Sequence, residues 1–307
     1  MTAQADARTR AVLDKAAHEN FPVAPRMLPK AWRRDLMAVY GYARLVDDIG
    51  DGDLAPGGHD AALLGVGPER AHDRLALLDA FEADLYRALH AATGRPDTTG
   101  AGPPRHPLLA ALVPTVRAHA LGPEPFLDLI EANRQDQKVR RYETFADLER
   151  YCERSANPVG RLVLAVTGTA TPERLRHSDA VCTGLQIVEH LQDVAEDLRR
   201  DRVYLPARDM RRFGVTETDL AAPTAGAPLR ALIAFECERG HRLLDQGTPL
   251  VRSVRGRLRL LLAGYVGGGR AALAAIRRAG HDVLPGPPAP TKAGLLRGAG
   301  AALRREG

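Results

Sequence analysis

Two pairs of aspartates, each separated by four positions and far from the other along the chain, restrict this sequence more than any other feature. They are Asp47 and Asp51 in YGYARLVDDIGD, with Asp48 beside the first, and Asp193 and Asp197 in GLQIVEHLQDVAEDLRRDRVYLP. On a helix, residues four apart share a face and stand about 6 Å apart along the axis. Both segments are therefore predicted helical, each offering two carboxylates side by side. Adjacent carboxylates repel, so a chain that aims several of them into one cleft needs cations there to offset the cost. Magnesium suits that role because it takes oxygen ligands, keeps waters and is held by a few carboxylates together with a substrate's phosphate oxygens. The plainer reading of an acidic pair is a solvated helix face. The rest of each stripe argues against it.

In the first segment Tyr40, Arg44, Asp47, Asp48 and Asp51 recur at steps of three and four, placing an arginine one turn before the acids. Its planar fork serves either a salt bridge or a pair of diphosphate oxygens. In the second, Gln186, Glu189, His190, Asp193 and Asp197 form a similar stripe, while Leu185, Ile187, Val188, Leu191, Val194 and Leu198 between them are apolar. A helix apolar on most other sides is buried, and buried carboxylates need partners. The expectation is a lined cavity.

The chain has 307 residues, 45% hydrophobic and 5% aromatic, and its abundant Ala and Leu favour an all-α core. Helical periodicity covers about 30–50, 70–92, 107–120, 124–138, 144–171, 173–200, 227–246 and 250–280, and no stretch alternates as a strand does. GDLAPGGHDAALLGVG, at 52–67, reads as a long flexible loop, either a lid over the site or a surface insertion. TGRPDTTGAGPPRHP, at 93–107, is a second loop. No repeat or linker interrupts the rest, so one domain is expected over 1–284, followed by a C-terminal tail at 285–307.

Cys152, Cys182 and Cys237 lack metal-ligand spacing and read as buried thiols of a reducing cytoplasm. The N-terminal segment shows no apolar secretory core, and no uncharged run reaches membrane-spanning length. The net charge of +5 comes with few aromatics to stack on bases, which speaks against nucleic acid as a partner. An anionic membrane is a different matter. A basic surface suits peripheral contact at the inner face of the membrane, where greasy substrates reside. GYVGGGR lacks the order and the preceding strand of a dinucleotide motif, so no NAD(P)H is expected. Gly264, Gly267, Gly268 and Gly269 in that run read as close helix packing rather than room for a substrate chain.

Taken in order and spacing, YGYARLVDDIGD and LQDVAEDLRRDRVYLP resemble the aspartate-rich motifs DDxxD and DxxxD of the squalene and phytoene synthase family. YETFADLERYCERSANPVGRLVL at 142–164, FLDLIEANRQDQ at 126–137 and GYVGGGRAALAAIRRAGHDVL at 264–284 agree with it. HENFPVAPRMLP at 18–29 is similar to the hydroxysqualene synthase (HpnC-like) branch. The resemblance implies a single-domain isoprenoid-synthase-type helical bundle around a central apolar cavity. It also implies a prenyl diphosphate substrate and magnesium, with manganese as the alternative ion.

Carried across by position, the resemblance gives Asp47, Asp48, Asp51, Asp193 and Asp197 as the catalytic and metal-binding set, with Glu189 as an added ligand. Tyr151 joins the catalytic group. Asn20, Phe21, Tyr40, Arg44, Gln186, Glu189, Arg202, Tyr204 and Tyr265 fall to substrate binding. The sequence departs from condensing relatives at Glu189, where many have Asn, at Gln192, where Arg is common, and after GHDVL, where PGPPAP replaces basic residues. The implied reaction is conversion of presqualene diphosphate and water to hydroxysqualene and diphosphate, as a carbon–oxygen lyase. The alternative is head-to-head prenyl transfer to presqualene diphosphate, squalene or phytoene-type products. A non-catalytic helical scaffold is a third reading, and pathway enzymes are implied partners.

Overall fold

Leu36, Val39, Tyr42, Leu45, Val46 and Ile49 recur every three or four residues, and helix α1 (Lys30–Asp51) buries all of them. The structure, a computed structural model, describes residues 12–13, 23–96 and 100–304. Every regular element among these residues is a helix; the only pairing of extended backbone is an isolated parallel bridge between Arg141 and Val203. The all-α expectation holds. The contacts fall into two compact units, Met1–Lys138 with Arg161–Ala170 and Val139–Gly160 with Thr171–Gly307.

In the first unit α1 packs against α4 (Pro107–His119) and α5 (Glu124–Asp136), and α3 (Arg74–Thr93) packs against both α1 and α4. Tyr42 lies at the centre of that packing with no exposed surface. Its hydroxyl donates to the Phe126 carbonyl at 2.8 Å, and its ring lies 5.1 Å from Phe81 and 5.0 Å from Phe126. Satisfying the hydroxyl lets a large aromatic be buried whole. α1 stops at Gly52, whose φ of 76° closes a left-handed C-cap. The 52–67 segment, expected as a loop, contains helix α2 (His59–Leu64), and Ala61 and Leu64 tuck into the core.

The second unit is built on α8 (Pro172–Gln192), which packs along α12 (Ala227–Gly247) and α14 (Gly256–Arg278). Three expected helices are split. The 144–171 stretch divides into α6 (Phe145–Ser155) and α7 (Asn157–Val166) at Ala156, just before Asn157–Pro158, where proline disfavours continued helix in the residue ahead of it. The 173–200 stretch breaks at Asp193, which separates α8 from α9 (Val194–Arg199). The 250–280 stretch divides into α13 (Pro249–Ser253) and α14, with Val254 and Arg255 extended between them. α10 (Ala207–Phe213) and α11 (Glu217–Leu220) complete the unit, the latter started by a Thr216–Asp219 capping box.

The segment expected as a tail carries α15 (Lys292–Arg304), which packs on α14. Gly267 and Gly298 permit this: a Cβ on either would overlap the other helix's backbone. Gly269 likewise faces Leu185 and Leu244, so close packing explains all three glycines. Gly264 differs, with open space where its Cβ would stand. No helix among the described residues is long and apolar enough to cross a membrane.

Candidate active site

The first acidic cluster occupies the last two turns of α1. Asp47 keeps an open surface, whereas Asp48, one residue on, turns inward and is buried. Arg44 reaches Asp48 one turn away, with Nη2 2.8 Å from Oδ1. The arginine expected to face a diphosphate thus spends part of its fork on a buried carboxylate. Asp47 receives a hydrogen bond from Asn133 Nδ2 at 3.1 Å. Asn133 approaches this closely because residue 50 is glycine, where a Cβ would overlap the Asn133 amide. Gln137, a turn further along the same sequence, donates to the Gly50 carbonyl at 2.9 Å. Tyr40 lies half-buried on the same helix, and the half-buried Asp51 is its last residue.

Asp47 is surrounded by enough protein that its carboxyl is pushed up to about 7. Loss of solvation is the largest cause, and the Asp51 and Asp48 charges add to it, while Asn133 and Arg44 pull the other way. Asp47 thus combines an exposed surface with a carboxylate that the surrounding protein has partly stripped of solvation.

The second cluster sits where α8 ends. Asp193 adopts φ −104° and ψ 13°, the sparsely populated bridge region between helix and strand. The hydrogen-bond ladder nevertheless continues: Asp193 N–H donates to the Glu189 carbonyl at 3.0 Å, and Asp197 N–H to the Asp193 carbonyl at 2.8 Å. Glu189, Asp193 and Asp197 therefore follow one another at single-turn intervals despite the break. Desolvation, then the Asp193 charge, raises Asp197 to about 8, with Glu196 and Glu189 adding and Arg202 opposing. Asp193 is itself raised, first by desolvation and then by Glu196.

Arg202 and Tyr204 follow in a turn fixed from two directions. Arg202 N–H donates to the Asp197 carbonyl at 2.8 Å, and Val203 N–H to the Arg140 carbonyl at 2.9 Å. Arg141 then grips Asp201 through its carbonyl at 2.6 Å and its carboxylate at 2.9 Å. This turn stacks the Tyr204 ring on His190, centroids 3.7 Å apart and planes 12° from parallel. Tyr142 and Tyr151 complete the cluster, 5.8 Å and 5.6 Å from Tyr204. Burial, with Arg202 nearby, pushes the His190 imidazole down to about 3, so the ring is neutral at physiological pH. Gln186 lies 3.4 Å from the His190 Nε2. Tyr265, on α14, is crowded by protein that pushes its hydroxyl above the ordinary range.

The expected residues thus form two groups. Tyr40, Arg44, Asp47, Asp48 and Asp51 share α1; Tyr151, Gln186, Glu189, Asp193, Asp197, Arg202 and Tyr204 gather around the end of α8, with Tyr265 on α14 of the same unit. Asn20 and Phe21 lie outside the described residues. Sequence reasoning missed Asn133, Gln137 and Tyr142 as site residues, although the stretches containing them, FLDLIEANRQDQ and YETF, carry the family resemblance. Polar side chains on a helix otherwise buried, as Asn133 is on α5, were the available signal.

Both clusters offer only oxygen donors, and among the described residues no three His, Cys, Asp or Glu side chains form a closed metal cage. Open-sided carboxylates with raised pKa values suit an ion that keeps waters and shares phosphate ligands, which is magnesium's preference rather than zinc's.

A family model described as squalene/phytoene synthase matches residues 14–294. The hydroxysqualene synthase of Zymomonas mobilis subsp. mobilis is 35% identical over 75% of this chain and 69% of its own length. The 15-cis-phytoene synthase of Synechococcus elongatus is 29% identical over 77% and 72%. Among solved structures, squalene synthase HpnC from Alicyclobacillus acidocaldarius superposes with a TM-score of 0.73 at 38% identity, covering 92% of this chain and 97% of its own. A match over nearly the whole length, joined to two aspartate-bearing helices with the motifs in order, leaves one assignment: the chain belongs to the squalene/phytoene synthase family.

Proposed function

We propose that this protein is a magnesium-dependent hydroxysqualene synthase, converting presqualene diphosphate and water to hydroxysqualene and diphosphate. The observation that carries the ionisation chemistry is the pair of raised carboxyls, Asp47 at about 7 and Asp197 at about 8, each crowded by neighbouring acids. Such groups gain from a divalent cation, and a diphosphate brings one. The choice among prenyl substrates is supported by the likeness to hydroxysqualene synthases and to HpnC.

In this reading Asp47 and Asp51 on α1 would hold magnesium in the first unit, and Asp193, Asp197 and Glu189 at the end of α8 would hold it in the second. Magnesium supplies charge neutralisation to a departing diphosphate. Asn133 aims Asp47, and the contact with Arg44 holds the buried Asp48 turned inward, away from it. Loss of diphosphate from the cyclopropylcarbinyl carbon leaves a cation. The faces of Tyr142, Tyr151 and Tyr204 attract positive charge, and the neutral His190 adds none. Water then captures the rearranged cation and releases a proton.

Incubating the purified protein with presqualene diphosphate and magnesium, without reductant, tests this directly. Hydroxysqualene is the expected product; squalene alone, or no turnover, removes the reading. The likeness to a 15-cis-phytoene synthase supports a second reading, head-to-head condensation of two prenyl diphosphates. Farnesyl diphosphate as the sole substrate discriminates, since only a condensing enzyme consumes it.

A further inference from the structure

We infer that α13, α14 and α15 present a docking face for an anionic lipid bilayer. Residues 249–307 contain 11 Lys or Arg against 2 Asp or Glu, whereas the preceding 248 residues contain 32 against 36. The chain's entire positive excess therefore resides in its last three helices. A general bias toward arginine would spread along the sequence and would not deplete acids in one region.

The geometry places this charge outward. Arg259 Nη2 donates to the Leu303 carbonyl at 2.9 Å, and Gly267 meets Gly298, so α15 runs antiparallel to α14 with its inner face covered. Its outer face carries Lys292, Leu296, Arg297 and Arg304, all exposed, and Leu296 is 76% open. At the end of the pair that Arg304 shares, the α13–α14 turn exposes Arg252, Arg255 and Arg257, with Leu260 exposed at 48%. None of these cations has a carboxylate partner among the described residues, although ion pairs abound elsewhere, as at Arg134 with Asp79 and Glu82. Unneutralised arginines around isolated leucines suit a headgroup surface, with the leucines reaching just below it. Nucleic acid is the other polyanion to weigh. The region's aromatic side chains, apart from His281, amount to Tyr265 alone, which leaves no platform for bases.

This face does not depend on which prenyl diphosphate is processed, and its test needs no turnover. The full-length chain is floated with phosphatidylcholine vesicles, with and without one-third phosphatidylglycerol, at low and high salt. Binding is expected only to the anionic vesicles and only at low salt. The triple variant Arg252→Gln, Arg255→Gln, Arg257→Gln should weaken it by about fivefold per arginine. Leu296→Ser should weaken it independently, while Arg154→Gln and Arg208→Gln, outside this region, should leave it unchanged. Thermal melting checks that each variant remains folded. Equal binding to neutral vesicles, undiminished binding by the triple variant and by Leu296→Ser, or tighter binding to duplex DNA than to anionic vesicles would overturn the assignment.

Discussion

Asn133 donates to Asp47 across 3.1 Å through a gap that exists only because residue 50 has no side chain. The bond ties α5 to the acidic turn of α1. Asn133→Ala should cost about 1 kcal/mol of stability and weaken magnesium binding by about 10–100-fold, as loss of an orienting partner does elsewhere. Gly50→Ala should have the same effect on the metal. Helix propensity would favour alanine by about 1 kcal/mol, but the overlap with Asn133 costs about 1–3 kcal/mol and decides the sign. Chemical denaturation and calorimetric magnesium titration read both variants.

The raised carboxyls give a definite pH signature. Asp47, Asp197 and Glu236 have folded-state pKa values of about 7, 8 and 7, above the ordinary carboxylate range. Between their unfolded and folded values the folded chain binds more protons, so stability falls as pH rises. The contribution is full below about pH 4, is lost progressively through pH 7–8, and stays lost above. Contact with water at Asp47 and Asp197 shrinks the effect, leaving a metal-free Tm lower by on the order of 5 °C at pH 8 than at pH 5. Magnesium should raise Tm at pH 8 far more than at pH 5. Binding should also release protons, visible as a buffer-dependent enthalpy in calorimetry.

Replacing one acid separates catalysis from architecture. Asp47→Asn or Asp193→Asn should lower product formation by about 10²–10³-fold. Each also removes one repelling charge, so the metal-free Tm at pH 8 should stay level or rise. A protein that melts earlier and retains its turnover would show these acids to be structural.

Tyr204→Ala should cost about 3–5 kcal/mol, because the ring fills space between His190, Tyr142 and Tyr151. Tyr204→Phe keeps the stack and should retain most of that stability. Comparing Tm and product profile for the two isolates the ring from its hydroxyl.

Much of this was legible in the sequence. The long helices follow from apolar residues at steps of three and four, as in Leu36, Val39, Tyr42 and Val46 of α1, and the aspartate spacing placed Asp47, Asp48 and Asp51 on helical turns. The break at Asp193 was not legible, because Gln192, Asp193 and Val194 carry no breaker; the bend leaves the hydrogen-bond ladder intact and shows only in φ and ψ. The split at Ala156 could have been read from Pro158, and α11 from Thr216 and Asp219. The Asn133–Asp47 bond joins residues 86 positions apart, beyond the reach of local pattern. Asp48 illustrates a further limit: spacing grouped it with Asp47, but only packing could reveal that one faces water while the other is buried against Arg44.

The grip of Arg141 on Asp201 spans 60 residues, and it sets the turn that delivers Tyr204 to His190. Such a closure carries an entropic cost that grows with the intervening length and must be met before its contacts reward it. The helices on either side can form from local contacts alone. The surroundings of Asp197 should thus be acquired late in folding, and a chain arrested before that closure should hold much of its secondary structure while lacking a competent second cluster.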